Sequence, residues 1–308
     1  MSDDDIDAML DAGPADAGVG RFLFGSRFGM EPFEVSAANL AHFVSVGGRL
    51  VETAHSYARG KSKEALGQWL RANPGRLAVV TKVGHDMQGG DIPLDRELVT
   101  EHLTESLRAL GVDSVDVMMY HCDDPRRTPE ELADTLLGLV EAGYARRIGA
   151  SNWSPRRLDA LATVLAARGH RAVASYHFSL ADPDPALLGD TRYADAETLS
   201  VVQRHQLPLL SWSAQAQGFF SRSAPRPADR GPDPFDTQVN RARRQRCVEL
   251  AERLGARPET VALAWTVHHP FAWPSIGPKT PEQLDRSLAA LDLELTEAEV
   301  RWLHDGTD

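Results

Sequence analysis

The chain has 308 residues, 42% of them apolar and 25% charged, which is an ordinary globular composition with enough apolar material for a large core. Its formal net charge of −11 repels nucleic acid and anionic membranes alike, so neither is expected as a main partner. No run approaches the roughly 18 apolar residues of a membrane helix. The opening Met-Ser-Asp-Asp-Asp-Ile-Asp is unlike a signal peptide, and the two cysteines, Cys122 and Cys247, form no C-x-x-C. A reduced, cytoplasmic protein is the expectation.

Residues 1–18 read as a mobile tail and 19–308 as one domain. From about residue 20 short apolar runs alternate with amphipathic stretches. Strands are predicted at 21–25, 49–53, 77–82, 115–121, 146–150, 171–175, 207–212 and 271–276. Helices are predicted at 35–47, 62–72, 97–110, 130–142, 155–168, 194–205, 238–268 in two pieces, and 281–290. Val99, Leu103, Leu107 and Leu110 form one helical stripe, which Gly111 stops. Thr128-Pro129-Glu130-Glu131 and Thr280-Pro281-Glu282-Gln283 read as capping boxes with proline at the first helical position, and Ser154-Pro155 opens a helix in the same way. A last helix capped by Thr296 and Glu299 is expected to pack outside the main body. Between the seventh strand and its helix, Ser221 to Asp236 carries four prolines and a glycine, which oppose regular structure and mark a long loop.

Eight strands with helices between them imply a parallel sheet. An open, doubly wound sheet usually carries G-x-G-x-x-G after its first strand, and no such fingerprint is present. A closed (β/α)8 barrel, the TIM-barrel architecture, follows.

Three groups that move or orient protons sit at strand ends: Tyr57, Lys82 and His121, with the carboxylate Glu52 five residues before the tyrosine. A barrel gathers such ends on one rim. There an ammonium lowers the pKa of a phenol, and an imidazole orients a carbonyl oxygen. The surrounding words are Glu52-Thr53-Ala54-x-x-Tyr57, Thr81-Lys82-Val83-Gly84 and His121-x-Asp-Asp. In these blocks, and from about Phe24 to Leu291, the chain resembles the aldo-keto reductases. Their tetrad is Asp, Tyr, Lys and His, so Glu52 stands where the family has Asp.

The resemblance implies NADPH-dependent, reversible reduction of a small-molecule aldehyde or ketone, with Tyr57 as proton donor. It assigns Ser151 and Asn152 to the nicotinamide carboxamide, joined by Ser175, where the family normally has glutamine. Trp212 falls where the family stacks an aromatic on the nicotinamide; on its own it reads as barrel core. Ser213, Gln215, Gln217 and Gly218 match the pyrophosphate segment, with Ser26 a further cofactor contact across the rim. Ile276, Gly277, Lys279, Thr280, Gln283, Arg286 and Ser287 match the adenosine end. There the helix N-terminus and Lys279 suit a 2′-phosphate. Arg286 replaces a usual acid and either reinforces phosphate binding or faces water. The substrate pocket is expected among Arg27, Phe28, His55, His85, Asp123 and Trp153, plus the 219–236 loop.

Glu52 and Ser175 also keep open a barrel that binds NADP with altered chemistry, and the residues by themselves admit a non-redox barrel enzyme. Gly60-Lys61-Ser62 resembles the end of a phosphate-binding loop, but His55 stands where that motif requires glycine. His268-His269 has no neighbouring carboxylate cluster in sequence and reads as a helix end, so no metal is expected.

Overall fold

In the computed structural model the described residues are 10, 17–26, 28–88, 90, 92–222, 226, 229 and 231–307. Eight parallel strands close into a barrel in chain order: β1 (Leu23–Gly25), β2 (Leu50–Glu52), β3 (Ala78–Val83), β4 (Val115–Tyr120), β5 (Ala145–Ser151), β6 (Val173–His177), β7 (Leu209–Trp212) and β8 (Ala272–Ile276). Closure runs through β1, which pairs with β2 (Gly25 beside Glu52) and with β8 (Leu23 beside Ser275).

The helices are α1 (Phe33–Ser45), α2 (Lys61–Ala72), α3 (Arg96–Leu110), α4 (Pro129–Glu141), α5 (Pro155–Ala167), α6 (Ala196–Arg204), α7 (Gln238–Leu254), α8 (Pro258–His268), α9 (Pro281–Leu288) and α10 (Glu297–Asp305). Gly111, at φ 72°, ends α3 as the sequence predicts, and Gly255, at φ 64°, divides α7 from α8. Thr128 with Glu131 and Thr296 with Glu299 form reciprocal capping boxes. The box predicted at Thr280 is only half formed. Thr280 accepts from the Gln283 N–H, but Gln283 Oε1 takes the Lys279 N–H instead of that of Thr280. No helix among the described residues is long and apolar enough to cross a membrane.

Two apolar layers hold the barrel. One lies between strands and helices. The other fills the interior with Leu23, Leu50, Ala78, Val80, Val117, Met119, Val173, Leu210 and Trp273. Side chains on a strand alternate in direction. Two residues beyond the interior Leu50, Val80, Val173, Leu210 and Trp273 therefore lie Glu52, Lys82, Ser175, Trp212 and Ser275. Met119 leads in the same way to His121, one residue past β4. The alternation that packs the core thus carries polar groups to the C-terminal rim. At the opposite end Leu10 joins the interior cluster at 2% exposure, and its carbonyl accepts from Arg171 Nη2 at 2.8 Å. That anchored residue departs from a free tail, because an apolar barrel floor gains by being covered; residues 1–9 and 11–16 of the expected tail lie outside the described residues.

The long connection after β7 is tied down at both ends. Phe219, Phe220 and Phe235 are buried, Phe235 packs 5.2 Å from His177, and Arg222 pairs with Asp233 at 2.6 Å.

Candidate active site

Glu52 and Lys82 point inward from neighbouring strands and form a buried ion pair, with Lys82 1% exposed. Burial disfavours the charged Lys82, but Glu52 foremost, together with Tyr57, overcomes it and holds the lysine pKa above its usual value. Lys82 Nζ also donates to Tyr57 Oη at 3.2 Å. Burial raises the pKa of the half-buried Tyr57, Lys82 opposes that rise, and Glu52 adds to it. The phenol is therefore protonated around neutrality. The lysine moderates a pKa that burial has raised, whereas the sequence alone suggested a net lowering. Tyr57 reaches this place on a short turn in which Ala58 and Arg59 both take positive φ.

His121 approaches Tyr57 edge-on, with ring centroids 5.6 Å apart. Burial, the Lys82 charge and His85 hold its pKa well below 6.5, so it is neutral. Its Nδ1 is buried with no hydrogen-bond partner. His85 stacks on it at 4.2 Å, with Nε2 2.7 Å from Cys122 Sγ.

Ser151 and Asn152 knit three strand ends together. Ser151 Oγ donates to the Ser175 carbonyl at 2.9 Å. Asn152, at φ 62°, gives one Nδ2 hydrogen to the His121 carbonyl and one to Ser151 Oγ, each at 3.0 Å, and its Oδ1 accepts from Arg192 N at 3.1 Å. Both amide hydrogens are spent, which leaves acceptor capacity on Asn152 Oδ1 and Ser151 Oγ. Ser175 Oγ and Trp212 Nε1 are buried without partners. Trp212 meets His177 edge-on at 5.3 Å.

From Gly25 and Ser275 a groove of about 800 Å3 runs outward along the ends of β7 and β8. Ser213, Gln215, Gln217 and Gly218 line one wall; Gly277, Lys279, Gln283, Arg286 and Ser287 line the other. Gln215 bridges the walls by donating to Ser287 Oγ at 3.1 Å. Positive φ at Ser213 and again at Ala216 and Gln217 turns the backbone of the first wall, a conformation suited to an anion. Ile276 is buried and Thr280 caps α9, so both support the groove from behind. Ser26 Oγ is 3.2 Å from Ser62 Oγ at the start of α2. Two further cations on the groove, Arg222 and Arg257, escape the sequence reading. Arg222 lies in the proline-rich loop, and Arg257 precedes Pro258 in a stretch legible only as a helix boundary.

The predicted substrate pocket is largely dispersed. Phe28 is fully buried beside Phe33, at 5.7 Å. Trp153 is fully buried and stacks on Tyr120 at 5.9 Å, because the left-handed Asn152 turns the chain down into the barrel wall. His55 points between α2 and α3: Lys63 Nζ is 2.8 Å from its Nδ1, and its ring stacks on His102 at 3.9 Å. Asp123 is bound by Arg157 at 2.5 Å. Of the six, His85 adjoins His121, and Arg27 lies outside the described residues. His268 binds Glu297 at 3.0 Å and His269 the Trp265 carbonyl at 2.9 Å. Among the described residues no group of three metal-ligating side chains is present.

The family model for the aldo/keto reductase family matches residues 18–305. The chain belongs to the aldo/keto reductase family. It is thus an oxidoreductase of an NADP-dependent class. Among its relatives this aldo/keto reductase is 28% identical to the versiconal hemiacetal acetate reductase of Aspergillus parasiticus, over 88% of this chain and 86% of that one. It is 27% identical to the norsolorinic acid reductase of Emericella nidulans, over 88% and 72%. Its fold matches a solved aldo/keto reductase from Klebsiella pneumoniae, in complex with NADP and acetate, at a TM-score of 0.70 and 21% identity, covering 92% of this chain and 89% of the other.

Proposed function

We propose that this reductase converts a small-molecule aldehyde or ketone to the alcohol with NADPH, reversibly, and that Tyr57 is the general acid. The observation that carries the reading is the Lys82 ammonium, which is held by Glu52 on one side and lies 3.2 Å from Tyr57 Oη on the other. A buried ammonium there keeps a proton donor and its conjugate base within one hydrogen-bonded pair. General-acid assistance of this kind is worth roughly 10²–10⁴-fold.

The groove fits the cofactor. The unpartnered Ser175 Oγ and the acceptor lone pairs of Ser151 and Asn152 suit a carboxamide. The left-handed residues Ser213, Ala216 and Gln217 suit a pyrophosphate, and Lys279 and Arg286 suit a 2′-phosphate. When bound, the nicotinamide supplies the hydride for the carbonyl carbon. Tyr57 gives its proton to the carbonyl oxygen, and Lys82 stabilises the phenolate left behind. His121 is neutral and buried; with Nδ1 unpartnered we assign its proton to Nε2, where it orients the same oxygen. In the reverse direction Tyr57 must begin as phenolate, so its raised pKa places alcohol oxidation on the alkaline side.

Glu52 paired with Lys82 favours this reading over a cofactor-binding barrel of little chemistry. Cys122 and Cys247 are buried and form no disulfide, which agrees with a reducing, cytoplasmic setting. The test is NADPH oxidation, followed by absorbance, against a panel of aromatic and aliphatic aldehydes and ketones. Turnover with matching alcohol formation is expected; NADPH binding without turnover on any carbonyl contradicts the reading.

A further inference from the structure

Glu52 does not face Lys82 alone. We propose that Ser275 is a positioning residue that seats the longer acid of this tetrad, so that Gly25, Glu52 and Ser275 work as one set. Ser275 Oγ donates to Glu52 Oε2 at 2.9 Å, while Oε1 takes the Lys82 ammonium. The carboxylate is 4% exposed and its two oxygens have different partners, so its rotation is fixed at both ends.

The contact reaches across a strand. Glu52 is on β2, Ser275 is on β8, and β1 lies between them. Gly25 is the β1 residue at the crossing, paired in register with Glu52. A Cβ on Gly25 would stand 3.1 Å from Ser275 Oγ and 3.3 Å from the Ile276 carbonyl oxygen, tighter than ordinary packing. The glycine therefore clears the path of the serine hydroxyl. An aspartate at position 52 places its carboxylate about 1.5 Å nearer its own backbone, one carbon–carbon bond short of Ser275. The added methylene of Glu52 is matched by a donor placed to receive it. Ser275 also lines the cofactor groove, so the device borders both halves of the site.

This inference rests on the reductase reading, and the experiment separates the two. Wild type, Ser275→Ala, Glu52→Asp and the double variant are compared for kcat on one accepted aldehyde, for NADPH affinity by tryptophan fluorescence quenching, and for thermal unfolding without cofactor. Ser275→Ala is expected to lower kcat about tenfold, the scale of one charge-assisted hydrogen bond, with NADPH affinity held within about threefold. In the Glu52→Asp background the same substitution is expected to cost less than about threefold. The unfolding temperature should show the same coupling, falling further when Glu52 is present than in the Glu52→Asp background. In Ser275→Ala the alkaline limb of kcat against pH should move to lower pH, because a loosened Glu52 raises the Tyr57 pKa less. Gly25→Ala, which leaves the hydroxyl in place but crowds it, should reproduce that shift and decides the matter if Ser275→Ala does not fold.

Equal penalties in both backgrounds, or a loss confined to NADPH affinity, would overturn the positioning role while leaving the reductase intact. An unmoved alkaline limb in Gly25→Ala would also overturn it. A wild-type protein that turns over no carbonyl sinks the parent reading instead, and the unfolding data still test the contact.

Discussion

Lys82 Nζ bonds the Glu52 carboxylate and lies 3.2 Å from Tyr57 Oη, so one buried ammonium ties the acid at the end of β2 to the phenol five residues after it. An ion pair this deep is costly to break from one side, since the survivor is left charged and desolvated.

Glu52→Gln should therefore damage both chemistry and stability. Removing the counter-charge leaves Lys82 uncompensated, at a cost of about 3–5 kcal/mol, and kcat/KM is expected to fall at least about a hundredfold. Glu52→Asp keeps the charge and should stay within about tenfold of wild type, losing mainly the Ser275 contact. Steady-state kinetics with a thermal melt on each variant separates the two effects. Glu52→Gln with wild-type kinetics would remove the glutamate from the mechanism.

Much of this relationship is legible in the chain, and the reasons are local. The run 78–82 alternates, so Lys82 follows Ala78 and Val80 into the barrel, and the caps at Thr128 and Thr296 mark their helices without tertiary information. His55 misleads for the opposite reason. It lies next to the tetrad in sequence, but β2 ends at Glu52, and the turn beyond sends His55 to Lys63 and Ser106, which arrive from two different helices. Trp153 similarly follows the Ser151-Asn152 pair, but the positive φ of Asn152 redirects it onto Tyr120. Ser275 is invisible to local pattern because its partner is 223 positions away, across the barrel seam.

The cofactor's phosphate should be read mainly by Lys279. It is exposed on the groove wall, and its own backbone N–H is occupied by Gln283 Oε1, so the side chain is the part available to an anion. Lys279→Ala is expected to narrow the NADPH-to-NADH affinity ratio by about tenfold or more, the value of a charge-assisted contact to phosphate. The same substitution at Arg286 or Arg257 provides the comparison. Fluorescence titration with both cofactors measures the ratios, and an unchanged ratio in Lys279→Ala assigns the phosphate to another cation.

Stability should fall on mild acidification. Burial, joined by the Lys63 charge, lowers the His55 pKa from 6.5 to about 4, and burial lowers that of His177 to about 4. His121 is lowered in the same direction. Unfolding returns each imidazole to its ordinary value, so the unfolded chain binds more protons in between. The stabilisation is complete above 6.5 and is lost as pH falls toward 4. At about pH 5 His55 and His177 should each have cost roughly 2 kcal/mol. Thermal melts between about pH 7 and pH 5 are expected to show a progressive drop in Tm. His177→Asn should flatten that slope; a slope unchanged by the substitution would place the proton uptake elsewhere.

Tyr57→Phe tests the central claim most directly. On the proposed mechanism the phenol acts on the substrate oxygen alone, and its loss removes one hydrogen bond from Lys82. Purified Tyr57→Phe should bind NADPH within about threefold of wild type, yet lose at least about a hundredfold in kcat/KM on the best carbonyl substrate. A variant that keeps more than about a tenth of wild-type kcat/KM, with NADPH binding intact, would contradict Tyr57 as the general acid.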